Sequence, residues 1–150
     1  MANRALLPDI TFFWGDDTCF SDTWHSPFVH RGRTFFTAEQ AVVHRMMVLF
    51  GERQPANIST RQLVLTEVPW FQEVWSLYHV HIYKEVLIDK FSGRLKATLL
   101  ATGDNLLAFA DNDYYWGIGM HTDNPYAPIP ELWPGRNMKG RVIMQVREYQ

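Results

Sequence analysis

The sequence predicts an α+β fold: a single, predominantly helical domain with a small sheet of short strands. Apolar residues recur at three- and four-residue steps over several long segments, as they do along one face of a helix. Only a few short runs have the aromatic and aliphatic content of strands. The 150 residues are 47% hydrophobic and 20% charged, with no repeat and no linker, so we expect one domain over 1–150.

The N-terminal third is predicted to contain three strands and one helix. ITFFWG at 10–15 is typical of a short strand, and PFVHRGRTFF at 27–36 of a hairpin that turns at its His-Arg-Gly-Arg sequence. Thr37 can cap a helix over about 38–50, because its hydroxyl can accept a hydrogen bond from a free N–H of the first turn. Gly51 then ends this helix.

The middle of the chain is predicted to be helical. The stretch 54–68 is helical in places and ends before a proline. A longer helix is predicted over 71–91 from apolar side chains at helical spacing: Trp75, Tyr78, Ile82 and Val86. A further helix over 92–102 is predicted to be capped by Ser92 and closed by Gly103.

The C-terminal third is predicted to have one strand, one long loop and one helix. NLLAFA at 105–110 is typical of a buried strand. The loop 111–136 carries four of the eight prolines, so we expect it to be irregular but ordered by its aromatic residues. Asn137 is predicted to cap a last helix over 138–148.

Charge and cysteine content exclude several classes of protein. A net charge of −2 argues against broad attraction to nucleic acid or anionic membrane, although one nucleotide can still be held in a local pocket. Cys19 is the only cysteine, which excludes an intrachain disulfide and a multi-cysteine zinc site. No apolar run reaches the ~20 residues needed to span a bilayer, and the start lacks the apolar stretch of a signal peptide. We therefore expect a cytoplasmic enzyme or binding domain without a membrane partner.

Glu39 is a candidate acid–base residue. It lies in the first turn of its predicted helix, where the helix dipole favours an anion, so one interpretation is a structural capping acid. The same helical face continues through apolar residues at Val43, Met46 and Phe50, which turns the carboxyl toward the interior. A carboxyl group in such surroundings suits acid–base chemistry.

The stretch ADNDYYWGIGM at 110–120 places Asp113 against three aromatic residues and two glycines. This composition fits a core corner, or the wall of a pocket for a flat polar ligand. Asp113 is either a turn-forming residue whose carboxylate accepts from nearby backbone N–H groups, or a second acid. In the second case Glu39 and Asp113 would supply two carboxyls, one to protonate a leaving group and one to orient water or stabilise a sugar cation.

The histidines do not predict a metal site. His79 and His81 are separated by roughly 200° around a helix axis, so they cannot both bind one metal ion. His25, His30 and His44 show no ligand spacing. We expect structural or surface roles for all of them, with no metal and no cofactor.

Several motifs together resemble the NADAR, or YbiA-like, domain family over about residues 12–149. They are FSDTWHSPF (20–28), FTAEQAVVHRMMVLFGE (36–52), VW (74–75), DKF (89–91), LLATGDNLLAFADNDYYWGIG (99–119) and PGRNMKGRVIMQVRE (134–148). The NP pair at 124–125 and the W-x-GRN ending look most like the branch common in bacteria and their phages. The resemblance implies a mostly helical α+β fold and N-glycosidase activity on nucleotide-like substrates.

The resemblance also implies residue roles. Glu39, Trp75 and Asp113 match positions that are functional in the family. Trp116, followed by Gly117, is implied to pack beside a ribose or base. The candidates for contacts with phosphates and ribose hydroxyls are Lys90, Arg136 and Asn137, and Ser21 is a further candidate for substrate binding.

Position 46 departs from the family pattern. Relatives commonly place a lysine seven residues after the glutamate, where its amine can attack the anomeric carbon and form a Schiff base. Here that residue is Met46, about 10.5 Å along the helix from Glu39 and on the same face, with neither nucleophile nor charge. Engineered substitution and natural divergence both remain open. Ser21-Asp22 also replaces the Ser-Asn pair of relatives.

Three functions remain open for this site. The first is an N-glycosidase that removes ADP-ribose from guanine in nucleic acid or nucleotides, with Met46 either inactivating it or leaving direct attack by water. The second is a non-catalytic protein that binds ADP-ribose or NAD-like nucleotides. The third is an N-glycosidase that acts on phosphoribosylamino-pyrimidine metabolites of the riboflavin pathway.

Overall fold

The computed structural model of the chain describes residues 9–16, 18–49 and 71–150. Within these ranges the order of elements is β1 (Ile10–Phe13), β2 (Phe28–His30), β3 (Arg33–Phe35), α1 (Ala38–Leu49), α2 (Phe71–Lys90), α3 (Lys96–Leu100), β4 (Leu106–Phe109), a short 3-10 helix (Pro130–Leu132) and α4 (Met138–Tyr149). The predicted α+β class, mostly helical with few short strands, is confirmed. The predictions for Phe50, Gly51 and 54–68 lie outside the described residues.

The strands form two small pairs. β1 and β4 are parallel, with Ile10 opposite Leu106, although the two strands lie far apart in the chain. β2 and β3 form an antiparallel hairpin at the predicted turn. Arg31 and Gly32 both have positive φ, 51° and 78°, as the two central residues of a type I′ turn require.

Of the two predicted helix caps, the cap of α1 is confirmed and the cap of α3 is wrong. The Gln40 N–H donates to Thr37 Oγ1 at 3.1 Å, which confirms the predicted cap of α1. The predicted start of α3 at Ser92 is wrong, since the helix begins at Lys96. The Ser92 hydroxyl instead donates to the Asp89 carbonyl at 2.8 Å, so it is bonded back to the end of α2. Gly103 follows this helix with φ 57°, as a closing glycine should.

Helix α2 is confirmed, and its predicted apolar face is buried at Ile82 and Val86 but not at Tyr78. Tyr78 is 46% exposed, whereas Tyr83, Val86 and Leu87 are buried. A stripe at four-residue steps, Trp75 to His79 to Tyr83, lines a pocket, and both α1 and α4 pack against this helix. Among the described helices, none is long and apolar enough to cross a membrane.

Helix α4 is joined to strand β4 by a buried asparagine. The prediction that the Asn137 side chain caps this helix is wrong: it makes no capping bond, and its φ is 52°. Its amide instead bonds the strand backbone, accepting from Phe109 N and donating to Leu107 O, both at 2.9 Å. These two bonds hold the start of α4 against β4, and the main core combines buried side chains of these two elements with those of α1, α2 and the β2–β3 hairpin.

Candidate functional site

A pocket of about 300 Å³ opens where α1, α2, the loop after β4 and the start of α4 meet. This volume is at the small end of the range for ligand pockets. The described residues that line it are Asp22, Glu39, Val42, Trp75, His79, Tyr83, Trp116 and Lys139. Aromatic walls therefore surround two carboxyl groups and one ammonium group.

Helix α2 supplies one wall through its four-residue stripe. His79 Nδ1 bonds the Trp75 carbonyl at 2.9 Å, one turn back, so this nitrogen is the N–H donor. Nε2 then accepts from the Tyr115 hydroxyl at 2.5 Å. Burial raises the pKa of Tyr115, although the charge of Arg136 opposes the shift, so the phenol keeps the proton that it donates. His79 thus has the structural role expected of it, with both ring nitrogens engaged.

Trp116 forms the opposite wall. Its ring meets the His79 ring edge-on, at 5.5 Å between centroids, and the Tyr83 ring at 5.6 Å. Edge-to-face contacts of this kind hold aromatic rings in defined orientations. The indole is therefore fixed from two sides while it lines the pocket.

The two carboxyl groups come from neighbouring segments. The Glu39 N–H donates to the Asp22 carbonyl at 3.0 Å, so the loop before β2 lies on the first turn of α1. The Asp22 side chain, 15% exposed, accepts from Tyr83 Oη at 2.5 Å and from Lys139 Nζ at 2.8 Å. Burial, followed by the negative charge of Asp22, raises the pKa of Tyr83 well above its usual value, so this hydroxyl remains a donor.

Lys139 brings the ammonium group into the pocket from the first turn of α4. Its Nζ lies 4.5 Å from the Phe109 ring centroid, in addition to its pairing with Asp22. The sequence does not identify Tyr83 and Lys139 as lining residues, and Asp22 stands out there only as a departure from the family pattern. A signal was present in Lys139, because a cation in the first turn of a helix opposes the helix dipole and needs a partner.

Asp113 lies in a turn outside the described lining of the pocket. Its Oδ1 accepts from Tyr115 N at 2.8 Å and from Trp116 N at 2.7 Å. This is the turn-forming arrangement. Asp113 therefore positions the backbone that carries Trp116.

The glycines of WGIG and PGRN allow two loops to pass in direct contact. A Cβ atom on Gly135 would overlap the Gly117 carbonyl oxygen and lie 2.6 Å from the Ile118 carbonyl carbon. A Cβ on Gly119 would lie 2.6 Å from the Pro134 side chain. The close approach lets Lys139 N bond the Trp116 carbonyl at 3.1 Å. It therefore joins the two segments that carry Trp116 and Lys139.

The remaining predicted site residues lie away from the described lining. Met46 is fully buried in α1. Ser21 is also buried, and its carbonyl accepts from Lys90 Nζ at 2.9 Å. Arg136 and Asn137 line a separate cavity of about 400 Å³. The structure brings together Glu39, Trp75 and Trp116, and Gly117 follows Trp116 at the loop contact.

The burial of the Lys90 ammonium group predicts a pH-dependent change in the stability of the protein. Burial lowers the pKa of its ammonium to about 8, against smaller opposing contributions from Asp22 and Cys19. Between pH 8 and the ordinary value of 10.5, the unfolded chain therefore binds more protons at this site than the folded one. The stability of the wild type relative to Lys90→Met should rise by up to about 3 kcal/mol across that window.

Urea unfolding of both proteins at pH 7 to 11 measures this difference. Lys96 is exposed, so Lys96→Met should show no such pH-dependent difference from the wild type. Parallel pH profiles for the wild type and Lys90→Met would show that Lys90 is not destabilised as an ammonium in the folded protein.

Within the described ranges, no cluster of histidine, cysteine, aspartate or glutamate could hold a metal ion.

The family of this chain is shown by comparison of its sequence with models of known protein families. The NADAR domain model matches residues 12–149. The chain belongs to the NADAR domain family.

Two known proteins are similar to this NADAR domain. One is named an N-glycosidase, from Acanthamoeba polyphaga mimivirus; it is 38% identical over 79 residues, which cover 50% of this chain and 46% of that protein. The matched segment therefore spans just under half the length of that relative. The NMR structure of the E. coli protein YbiA is 22% identical with a TM-score of 0.69, covering 95% of this chain and 84% of that one. The second similarity confirms the YbiA-like fold.

Proposed function

We propose that this NADAR domain is an N-glycosidase that acts on a nucleotide-type substrate, and that it removes ADP-ribose from guanine in nucleic acid or in a nucleotide. The observation that carries the proposal is the pairing of Glu39 and Asp22 in one pocket with Lys139, between the rings of Trp75 and Trp116. The name of the mimiviral relative supports the reaction type.

The two carboxyl groups suit different steps of such a reaction. Asp22 accepts from two fixed donors, so its negative charge is held in place beside the position of the sugar. That charge can stabilise the positive charge that develops on the anomeric carbon as the bond to the base breaks. Glu39 lines the pocket without a side-chain hydrogen bond to another described residue, which leaves its carboxyl available for proton transfer.

Water completes the reaction. As the bond between the anomeric carbon and the base nitrogen breaks, its electron pair stays with the base nitrogen, which takes up a proton from the Glu39 carboxyl. Water adds to the anomeric carbon, and Glu39 takes the proton that the water loses. Met46 provides no amine, so the reaction proceeds by direct attack of water and without a covalent sugar intermediate. The flat faces of Trp75 and Trp116 provide stacking surfaces for a base.

The volume of the pocket favours one alternative. At about 300 Å³ it suits a sugar and one ring better than a complete ADP-ribosyl nucleotide, so phosphoribosylamino-pyrimidine metabolites are a second candidate substrate class. Met46 favours a third possibility, a non-catalytic protein that binds ADP-ribose or NAD-like nucleotides.

Mass spectrometry distinguishes these functions. The wild type and Met46→Lys are incubated with an ADP-ribosylated guanosine oligonucleotide and, separately, with a phosphoribosylamino-pyrimidine. We expect the wild type to release ADP-ribose from the oligonucleotide. Met47, also buried on α1, offers the matched control Met47→Lys for the insertion of a buried lysine.

Each other outcome has a distinct meaning. Release of ADP-ribose by Met46→Lys but not by the wild type would show that the wild type only binds its ligand. It would also show that a single amine at this position restores catalysis. Turnover of the phosphoribosylamino-pyrimidine alone would show that this metabolite, and not ADP-ribosyl guanine, is the substrate. No turnover of either substrate by either protein would contradict the glycosidase proposal.

A further inference from the structure

A second cavity, of about 230 Å³, lies between the tip of the β2–β3 hairpin and the second half of α1. We call it the hairpin cavity. Its described lining is His30, Arg31, Arg33, His44, Arg45 and Val48, and none of these residues lines the pocket around Glu39. Three guanidinium groups and two imidazoles face it, without a carboxylate among the described lining residues.

The guanidinium group of Arg45 is held in one orientation at the side of the hairpin cavity. Its side chain is only 12% exposed. One guanidinium nitrogen donates to His30 Nε2 at 2.9 Å, and another donates to Glu85 Oε1 at 2.9 Å. His30 is held in turn by Asp89, with 2.6 Å between Nδ1 and Oδ2. A guanidinium oriented in this way is prearranged for a ligand and loses little conformational entropy on binding.

The hairpin brings two more arginines to the same place. Arg33 is directly opposite His30 in the strand register, so both side chains lie on one face of the hairpin. Arg31 has φ 51°, a left-handed conformation that disfavours residues other than glycine and asparagine. This conformation belongs to the type I′ turn, which places Arg31 at the tip of the hairpin. Arg31 Nη2 lies 3.5 Å from Glu85 Oε1, and the Arg31 side chain is largely exposed, so its charge is only partly neutralised.

His44 lies in the hairpin cavity beside these cationic groups. Its Nδ1 is buried and has no hydrogen-bond partner in the part of the chain that the structure describes. Burial lowers the pKa of the imidazole, and the neighbouring Arg33, His30 and Arg45 lower it further. The pKa of His44 is therefore sensitive to a change of charge in the hairpin cavity.

We propose that the hairpin cavity binds a phosphate group, with Arg33 and Arg45 as its principal donors. Planar guanidinium groups match the geometry of phosphate oxygens and bind them through paired hydrogen bonds. The phosphate belongs either to a free anion or nucleotide, or to the backbone of a nucleic-acid strand. The site is separate from the proposed glycosidase pocket and does not depend on its activity.

Titration of the full chain with inorganic phosphate, followed by NMR of the His44 ring, tests this site. Phosphate should shift the His44 resonances and raise the pKa of His44, because a bound anion offsets the field of the arginines. Arg33→Gln should weaken phosphate binding about tenfold, the loss expected for one charge-assisted hydrogen bond. Lys96→Gln removes the same charge from an exposed position outside the cavity and should bind phosphate as the wild type does.

A short single-stranded oligonucleotide without terminal phosphates forms the second arm of the experiment. Arg33-dependent binding of inorganic phosphate identifies a small-anion site, and Arg33-dependent binding of the oligonucleotide alone identifies a backbone site. Two results would overturn the proposal. They are an unchanged His44 signal with both ligands, or equal weakening by Arg33→Gln and Lys96→Gln.

Discussion

Glu39→Gln should lower the rate of N-glycosidic bond cleavage by about 100- to 10,000-fold, the range that one positioned acid–base group contributes. The substitution keeps the size of the side chain and the backbone bond to Asp22, and it removes the ionisable carboxyl, with both its charge and its capacity to transfer a proton. The measurement is release of the sugar product under single-turnover conditions. Substrate binding should change far less than the rate, because the aromatic walls and Asp22 are retained.

Glu73→Gln is the matched control. Glu73 is also in the first turn of its helix, but it is exposed and outside the pocket lining, so its replacement should leave the rate unchanged. Where turnover of the wild type is too slow to measure, both substitutions are made in the Met46→Lys background. Equal rates for Glu39→Gln and its parent protein would remove Glu39 from the reaction.

Gly140→Ala should destabilise the fold by about 3 kcal/mol, the upper part of the range for overpacking a well-filled interior. A Cβ atom at this position would overlap the Leu107 carbonyl oxygen and lie 2.5 Å and 2.6 Å from the amide atoms of Asn137. The obstacle is strand backbone and a side chain that is already bonded to that backbone. Helix α4 would therefore have to move away from β4 to accommodate the methyl group.

Gly93→Ala separates this contact from the general effect of replacing glycine. A Cβ at Gly93 would meet no atom within 4 Å, so the change should be neutral or slightly stabilising. Urea denaturation of the two variants and the wild type measures the difference. A Gly140→Ala protein as stable as Gly93→Ala would mean that α4 and β4 are not in the close contact described.

Local patterns were sufficient for most of the fold. The β2–β3 hairpin follows from its turn sequence, α1 from the Thr37 cap, and α2 from its apolar periodicity. The errors arose where a polar side chain had two possible partners. Asn137 was predicted to bond its own helix, but its amide bonds strand β4, which lies about 30 residues earlier in the chain.

The site was only partly predictable for the same reason. The sequence pattern indicates Glu39, the family resemblance adds Trp75 and Trp116, and the three residues share a pocket. Asp113 was favoured because it precedes Trp116, and its carboxylate is engaged by the backbone of that turn. The carboxylate present in the pocket is Asp22, which depends on Tyr83, 61 residues later, and on Lys139. No local pattern contains such distant pairs.

The contact between the Gly117–Gly119 and Pro134–Gly135 segments shapes the pocket independently of the side chains that line it. Backbone fit and small residues, not the chemistry of the lining side chains, set the positions from which Trp116 and Lys139 project. Exchange of lining side chains such as Val42 or Trp75 can therefore alter ligand choice while the framework persists. One architecture can in this way diversify across substrates through a small number of substitutions at its inner surface.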